Sequence, residues 1–293
     1  MGLTVLRWGQ AEYERGPLLG LSEGVEVVTA AGEGAPLEEA DVVVVPSVTR
    51  VTRAHLPRLS RCRLVLTITS GFDHVDVDAL LEAGIACARL PLVRRDAVVE
   101  TALGMIFSLT RRLGVLQQAA REGRWECSRL AEHGATLLGR VGVVGVGVIG
   151  TRMCEVLTAL GADVVPCRRG DPVPLDVDVL TLHCSLTPEN ERIVDPFALR
   201  PGAVLVNTAR GRLLDVDRTL AAVRAGHLAG VGLDVFPRKP ADLAALAHPR
   251  IVLTPHAAGW HPRLGERVSE GVAEAVRALI AGEPVPWSIP SAE

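Results

Sequence analysis

The chain opens with short apolar, β-branched runs separated by glycine, proline and acidic stretches. The runs Leu3–Arg7, Val25–Thr29, Val42–Pro46, Leu64–Thr69 and Ile85–Ala88 lack the polar alternation of a half-exposed sheet. They predict strands covered on both faces. A helix is predicted over Val77–Glu82, ending before Gly84. A longer helix follows from about Ala97 to Ala119, where Val98, Val99, Ala102, Leu103, Met105, Ile106 and Leu109 nearly encircle the axis. Such a helix is expected to be buried and to connect two α/β halves. The second half begins at Arg140 with a strand over Val141–Val144, a glycine turn, and a helix with Met153, Val156, Leu157 and Leu160 on one face. Further strands are predicted at Val164–Cys167, Val179–His183, Val204–Asn207, Gly230–Val235 and Ile251–Thr254. Val268, Val272, Val276, Leu279 and Ile280 mark a final amphipathic helix. This alternation predicts parallel, doubly wound sheets.

Composition narrows the class. The 293 residues suffice for two domains, and 48% hydrophobic against 22% charged residues excludes a disordered chain. The net charge of −3, with both signs mixed along the chain, leaves no basic face for nucleic acid. No apolar run approaches the ~18 residues of a membrane span, and the N-terminus lacks the regions of a signal peptide. Six cysteines without a CxxC pair argue against a zinc site and for thiols in a reducing cytosol. A soluble cytoplasmic protein without a metal centre is therefore expected. Of 31 basic residues only Lys239 is a lysine.

The segment Gly145-Val146-Gly147-Val148-Ile149-Gly150 fits G-x-G-x-x-G. The pattern alone is weak, but here it follows an apolar strand and opens a helix, the context that dinucleotide binding requires. Gly145 permits the turn, Gly147 lets a pyrophosphate approach the backbone, and Gly150 lets helix and strand pack closely. The helix start offers unpaired N–H groups to the phosphates. About 20 residues on, where an NAD site places a carboxylate for the ribose hydroxyl, the chain has Cys167-Arg168-Arg169-Gly170. Two guanidiniums suit a 2′-phosphate. NADP(H) is thus expected as the preferred cofactor, with NAD(H) as the alternative.

Several motifs then recur in a telling order. They are Thr69-Ser70-Gly71-Phe72-Asp73, Val98-Val99-Glu100 with Arg111-Arg112, the glycine turn, Leu182-His183 through Leu186-Thr187, Asn207-Thr208-Ala209-Arg210-Gly211, Leu233-Asp234-Val235-Phe236 and Thr254-Pro255-His256-Ala257. In these the chain resembles the D-isomer-specific 2-hydroxyacid dehydrogenase family, which includes glyoxylate/hydroxypyruvate reductases and D-lactate and phosphoglycerate dehydrogenases. The resemblance implies two Rossmann-like doubly wound parallel-sheet domains with a cleft between them. Residues 1–91 would begin the substrate domain, 92–262 would form the dinucleotide-binding domain, and 263–293 would return to the first. It also implies a homodimer through the nucleotide domain and a small anionic 2-ketoacid or 2-hydroxyacid as substrate. Arg210 would clamp the substrate carboxylate, backbone N–H groups near Ser70 and Gly71 would hold its other side, and His256 would be the general acid. Val148 and Ile149 would donate to the pyrophosphate, while Asp234 and the backbone at Thr208 would fix the carboxamide.

The match departs from the family at two places. Where the family carries a glutamate before a proline, to pair with the histidine, this chain has Lys239-Pro240. An ammonium beside imidazole disfavours imidazolium, the reverse of a carboxylate's effect. Three outcomes stay open. Lys239 turns outward while Asp242 or Glu266 orients the ring, Lys239 itself donates a proton or binds an acidic substrate, or the usual chemistry is lost. The leading expectation is NADPH-dependent reduction of a small 2-ketoacid. Its alternatives are an NADP(H)-binding protein without ordinary turnover, similar to corepressor members of the family, and altered reductase chemistry such as imine reduction. The second departure is a short link of about ten residues from Arg168 to Asp178, with Pro172 and Pro174, which leaves no room for a further helix or strand. An adenine pocket more open than the family's is expected from it.

Overall fold

The computed structural model describes residues 2–9, 18, 21, 24–125, 138–238, 246 and 248–290. It divides into two units, Met1–Arg94 with His261–Glu293, and Arg95–Trp260.

The first unit is built on five parallel strands, β1 (Leu3–Trp8), β2 (Val25–Ala30), β3 (Val42–Val45), β4 (Leu64–Thr67) and β5 (Ala86–Arg89), in the order β2-β1-β3-β4-β5. The uninterrupted valines of β3 are explained by what lies on each side. Val43 and Val45 enter a core with Leu37, Leu59, Leu80 and Ile289. Val42 and Val44 enter the opposite core, against Leu264, Val268, Val272 and Val276 of the last helix, α6 (Leu264–Ala281). Each successive side chain thus serves a different layer. Helix α1 (Val77–Glu82) starts on Asp76, whose carboxylate accepts from the Ala79 N–H. Ser288 pairs antiparallel with Ala88, and Ile289 N–H donates to Cys87 O, so this segment lies against β5.

The second unit carries six parallel strands, β6 (Arg140–Val144), β7 (Asp163–Cys167), β8 (Val179–Leu182), β9 (Val204–Asn207), β10 (Gly230–Leu233) and β11 (Ile251–Leu253). Their order is β11-β10-β9-β8-β6-β7. The chain leaves β6 for β7 on one side and returns to β8 on the other, which makes the β6/β8 boundary a topological switch point. One face packs on α2 (Arg95–Thr110) and α4 (Val148–Ala159) through Val99, Met105, Ile106, Met153 and Leu157. The other packs on α5 (Val216–Arg224), with Leu220 and Val223 buried. Residues 168–178 form neither helix nor strand, in keeping with the prolines there.

One expectation needs correction. The helix foreseen from Ala97 to Ala119 is two helices, α2 and α3 (Leu113–Arg121), broken at Arg112, which has φ +56°. The Arg112 guanidinium donates to the Ala229 carbonyl at 3.2 Å, tying the break to the start of β10. The first part is the more deeply buried; in α3 Ala119 is buried, while Leu113 and Leu116 are exposed. Among the described residues no helix is long and apolar enough to cross a membrane.

Candidate active site

In the second unit, the segments that follow all six strands lie along one edge of the sheet, because every strand runs the same way. Lateral bonds carry the ladder past the strand ends: Gly145 N–H to Cys167 O, His183 N–H to Val144 O, Asp234 N–H to Asn207 O and His256 N–H to Asp234 O, at 2.7 to 3.0 Å. The carboxyl edge of such a sheet is where ligands bind.

The glycine turn divides its labour as the motif demands. Gly145 has φ +90°, and a Cβ there would sit 2.4 Å from the Cys184 nitrogen. A Cβ on Gly150 would sit 1.9 Å from the Gly145 carbonyl oxygen, so the helix can approach the turn only without one. A Cβ on Gly147, by contrast, would meet nothing within 4 Å. The first helical bond of α4 is Thr151 N–H to Gly147 O at 2.8 Å, which leaves the Val148, Ile149 and Gly150 N–H groups without an intrahelical acceptor. No acidic residue lies in that first turn. The residues therefore fit an anionic dinucleotide: a free face at Gly147, donors without an intrahelical acceptor and the positive end of a helix.

Arg168 follows β7 directly, and β7 is in register with β6 through Val144 and Cys167, so Arg168 lies beside the glycine turn. Its backbone N–H donates to Asp171 Oδ2 at 2.8 Å. Both Arg168 and Arg169 are exposed, and neither joins an ion pair with another described residue. On the other side of the turn, His183 ends the run from β8, with Nε2 3.0 Å from Thr181 Oγ1. Burial pushes this imidazole down from 6.5 to about 4, so it is neutral at neutral pH.

Asn207 shapes the next loop. It is fully buried at the end of β9, its Oδ1 accepting from Ala209 N–H at 3.0 Å and its Nδ2 donating to Arg210 O at 2.8 Å. These bonds set the turn that carries Arg210, whose Nη1 donates to Ala209 O at 2.9 Å. Thr208, 8% exposed, has a buried hydroxyl oxygen with no hydrogen-bond partner. An orphaned polar atom here fits a ligand amide, since a buried hydroxyl is costly unless paired.

Asp234 organises the last loop. Only 1% exposed, it accepts on Oδ1 from Thr254 Oγ1 at 2.6 Å, Ala257 N–H at 2.7 Å and Ala258 N–H at 3.1 Å. Its own carbonyl accepts from His256 N–H. The wrap forces His256 to φ +58°, a left-handed conformation rare for a β-carbon-bearing residue, and leaves its side chain exposed. Lys239 and Asp242 fall outside the described residues. Glu266, in the first unit, is paired with Arg263 at 2.8 Å.

Ser70 and Gly71 belong to the loop after β4 in the first unit. Ser70 Oγ donates to Pro91 O at 3.0 Å, and Thr69 Oγ1 to Gly71 O at 2.8 Å. The sequence reading missed two side chains of these loops. Asn207 was legible as part of a motif but not as the template of the Arg210 turn, and the Thr208 hydroxyl carried no signal beyond its neighbours.

A parallel doubly wound unit with a glycine turn and this loop set defines a nucleotide-binding α/β protein. Residues 103–258 match the family model for the D-isomer specific 2-hydroxyacid dehydrogenase, NAD binding domain. A D-3-phosphoglycerate dehydrogenase of Mycobacterium bovis is 32% identical over 276 residues, covering 87% of this chain and 52% of the relative, so the chain spans about half the length of that protein. A putative 2-hydroxyacid dehydrogenase of Haemophilus influenzae is 31% identical over 252 residues, 76% of this chain and 78% of that one. The solved D-lactate dehydrogenase of Aquifex aeolicus, complexed with NAD and lactic acid, has a TM-score of 0.79 at 25% identity, covering 95% of this chain and 96% of that one. The chain belongs to the D-isomer specific 2-hydroxyacid dehydrogenase family.

Proposed function

We propose that the protein reduces a small 2-ketoacid to a D-2-hydroxyacid with NADPH. A bound reduced nicotinamide would supply hydride to the carbonyl carbon. Arg210 offers a guanidinium fork to the substrate carboxylate, and the amides of the Ser70–Phe72 loop are further donors to it. His256 gives the proton to the carbonyl oxygen as general acid. Asp234 acts first as the anchor of the His256 loop, and Thr208, in the loop after β9, supplies a buried hydroxyl without a partner among the described residues. The observation that carries the reading is the Asp234 wrap: one buried carboxylate takes three donors and holds an exposed histidine at positive φ, on the edge that also bears the glycine turn. Relatives named as phosphoglycerate and 2-hydroxyacid dehydrogenases support the reaction class.

The preference for NADPH rests on Arg168 and Arg169, exposed beside the glycine turn where a ribose phosphate would lie. Lys239 motivates the second reading, an NADP(H)-binding protein without ordinary turnover. Coenzyme oxidation across a panel of 2-ketoacids separates the two. The expected result is NADPH-dependent turnover that falls by roughly 10²–10⁴ in His256→Ala, with the advantage of NADPH over NADH lost in the Arg168→Ala, Arg169→Ala double variant. NADPH binding without turnover in wild type, and turnover appearing in Lys239→Glu, would overturn the first reading in favour of the second.

A further inference from the structure

The loop after β4 has an unusual internal support. Arg89 closes β5 in register with Thr67 at the end of β4, and its Nη1 donates to the Ser70 carbonyl at 2.8 Å. Its guanidinium carbon lies 5.5 Å from the centre of the Phe72 ring, a cation–π distance. Unlike many of the protein's arginines, which pair with carboxylates, the half-buried Arg89 has no acidic partner among the described residues. Beside it, Thr69 Oγ1 donates to the Gly71 carbonyl and lies 3.0 Å from Thr67 Oγ1, which is itself 3.0 Å from His74 Nε2.

The consequence is in the peptide planes. The carbonyls of Ser70 and Gly71 are both committed to partners within the unit. A trans peptide points its N–H opposite to its C=O, so the N–H groups of Gly71 and Phe72 face away from Arg89 and Thr69. Neither donates to another described group. Two successive amides without an acceptor among the described residues are donors open to an anion. A guanidinium on the Ser70 carbonyl both fixes that peptide and polarises it, which strengthens the Gly71 N–H as a donor.

We propose that Arg89 is a positioning residue of the substrate site: through the Ser70 carbonyl it presents the Gly71 and Phe72 amides to the carboxylate of a 2-oxoacid. The assignment rests on the reading of the site as a 2-ketoacid reductase. Arg89 acts through the peptide, and the glycine turn proposed to bind the coenzyme belongs to the other unit.

The test compares wild type, Arg89→Met and Arg89→Lys in the full chain. It uses turnover, NADPH affinity, thermal melting, and nitrogen–proton NMR shifts of the Gly71 and Phe72 amides on titration with oxamate, an unreactive 2-oxoacid analogue. In wild type the two amide signals move with oxamate; in Arg89→Met they do not. KM for the 2-ketoacid rises about tenfold or more in Arg89→Met, with NADPH affinity and melting unchanged, and Arg89→Lys recovers part of the loss. Unmoved amides in wild type overturn the proposal, as does an Arg89→Met KM within about twofold of wild type. A joint loss of melting temperature, kcat and NADPH affinity in both variants assigns Arg89 a structural role instead. If wild type turns over no 2-ketoacid yet the amides respond to oxamate only with Arg89 present, the positioning role stands and the reductase reading fails.

Discussion

Asp234 is the residue on which the most geometry depends. Its buried carboxylate oxygen receives one hydroxyl and two amide donors, all from the loop that presents His256. Removing the acceptor strands those donors, so Asp234→Ala is expected to lose roughly 3–5 kcal/mol in urea unfolding together with turnover. Asp234→Asn, which keeps an oxygen in place, should fold and lose less. Destabilisation by Asp234→Ala no larger than that of a surface substitution would show that the loop holds its shape without this anchor. His183 gives a pH signature. Burial sets its folded pKa at about 4, below the 6.5 of the unfolded chain, so the unfolded state takes up the proton first as pH falls. Stability from this group is full above pH 6.5 and declines toward pH 4, with a slope approaching ~1.4 kcal/mol per pH unit. The His183→Gln variant should lack that contribution to the slope in denaturation curves collected from neutral to acid pH; an unchanged slope would contradict the assignment.

At the scale of elements, the glycine turn separates folding from binding. Gly150→Ala places a methyl 1.9 Å from a backbone oxygen and should disturb the β6–α4 junction itself, lowering the melting temperature. Gly147→Ala meets open space, so it should melt like wild type and weaken coenzyme binding in calorimetric titration. Equal effects of the two on melting would remove the reason for calling Gly147 a ligand-facing position. Elements also show what could be read beforehand. The strands were legible because parallel strands buried on both faces appear as uninterrupted apolar runs, as at Val42–Val45. The break between α2 and α3 was not: the left-handed residue is an arginine, Arg112, and it is held by a contact to Ala229, distant in sequence. Helix α5 went unforeseen although Asp215 caps it by accepting from the Arg218 N–H, a signal present in the chain.

Across the whole molecule, the two sheets illustrate how far motifs reach. The glycine turn and Arg168 could be named from order and spacing, while Arg210, Asp234 and His256 could be named only through the resemblance to the family; each follows a strand, and all six strands of the second unit end on one edge. The supports behind them are tertiary: Asn207 under Arg210, and Arg89 under Ser70, join residues that no spacing pattern links. The short link after Arg168 leaves β7 at the sheet's edge, with two exposed arginines where other dinucleotide sites carry a carboxylate. The measurement that bears most directly on the proposed reaction is isotope transfer from NADPH deuterated on the nicotinamide ring to a panel of 2-ketoacids, read by mass spectrometry and chiral analysis of the product. One deuterium on the carbinol carbon of a D-2-hydroxyacid, transferred by wild type and far more slowly by His256→Ala, is the expected result. Coenzyme bound but no deuterium transferred to any 2-ketoacid would contradict it.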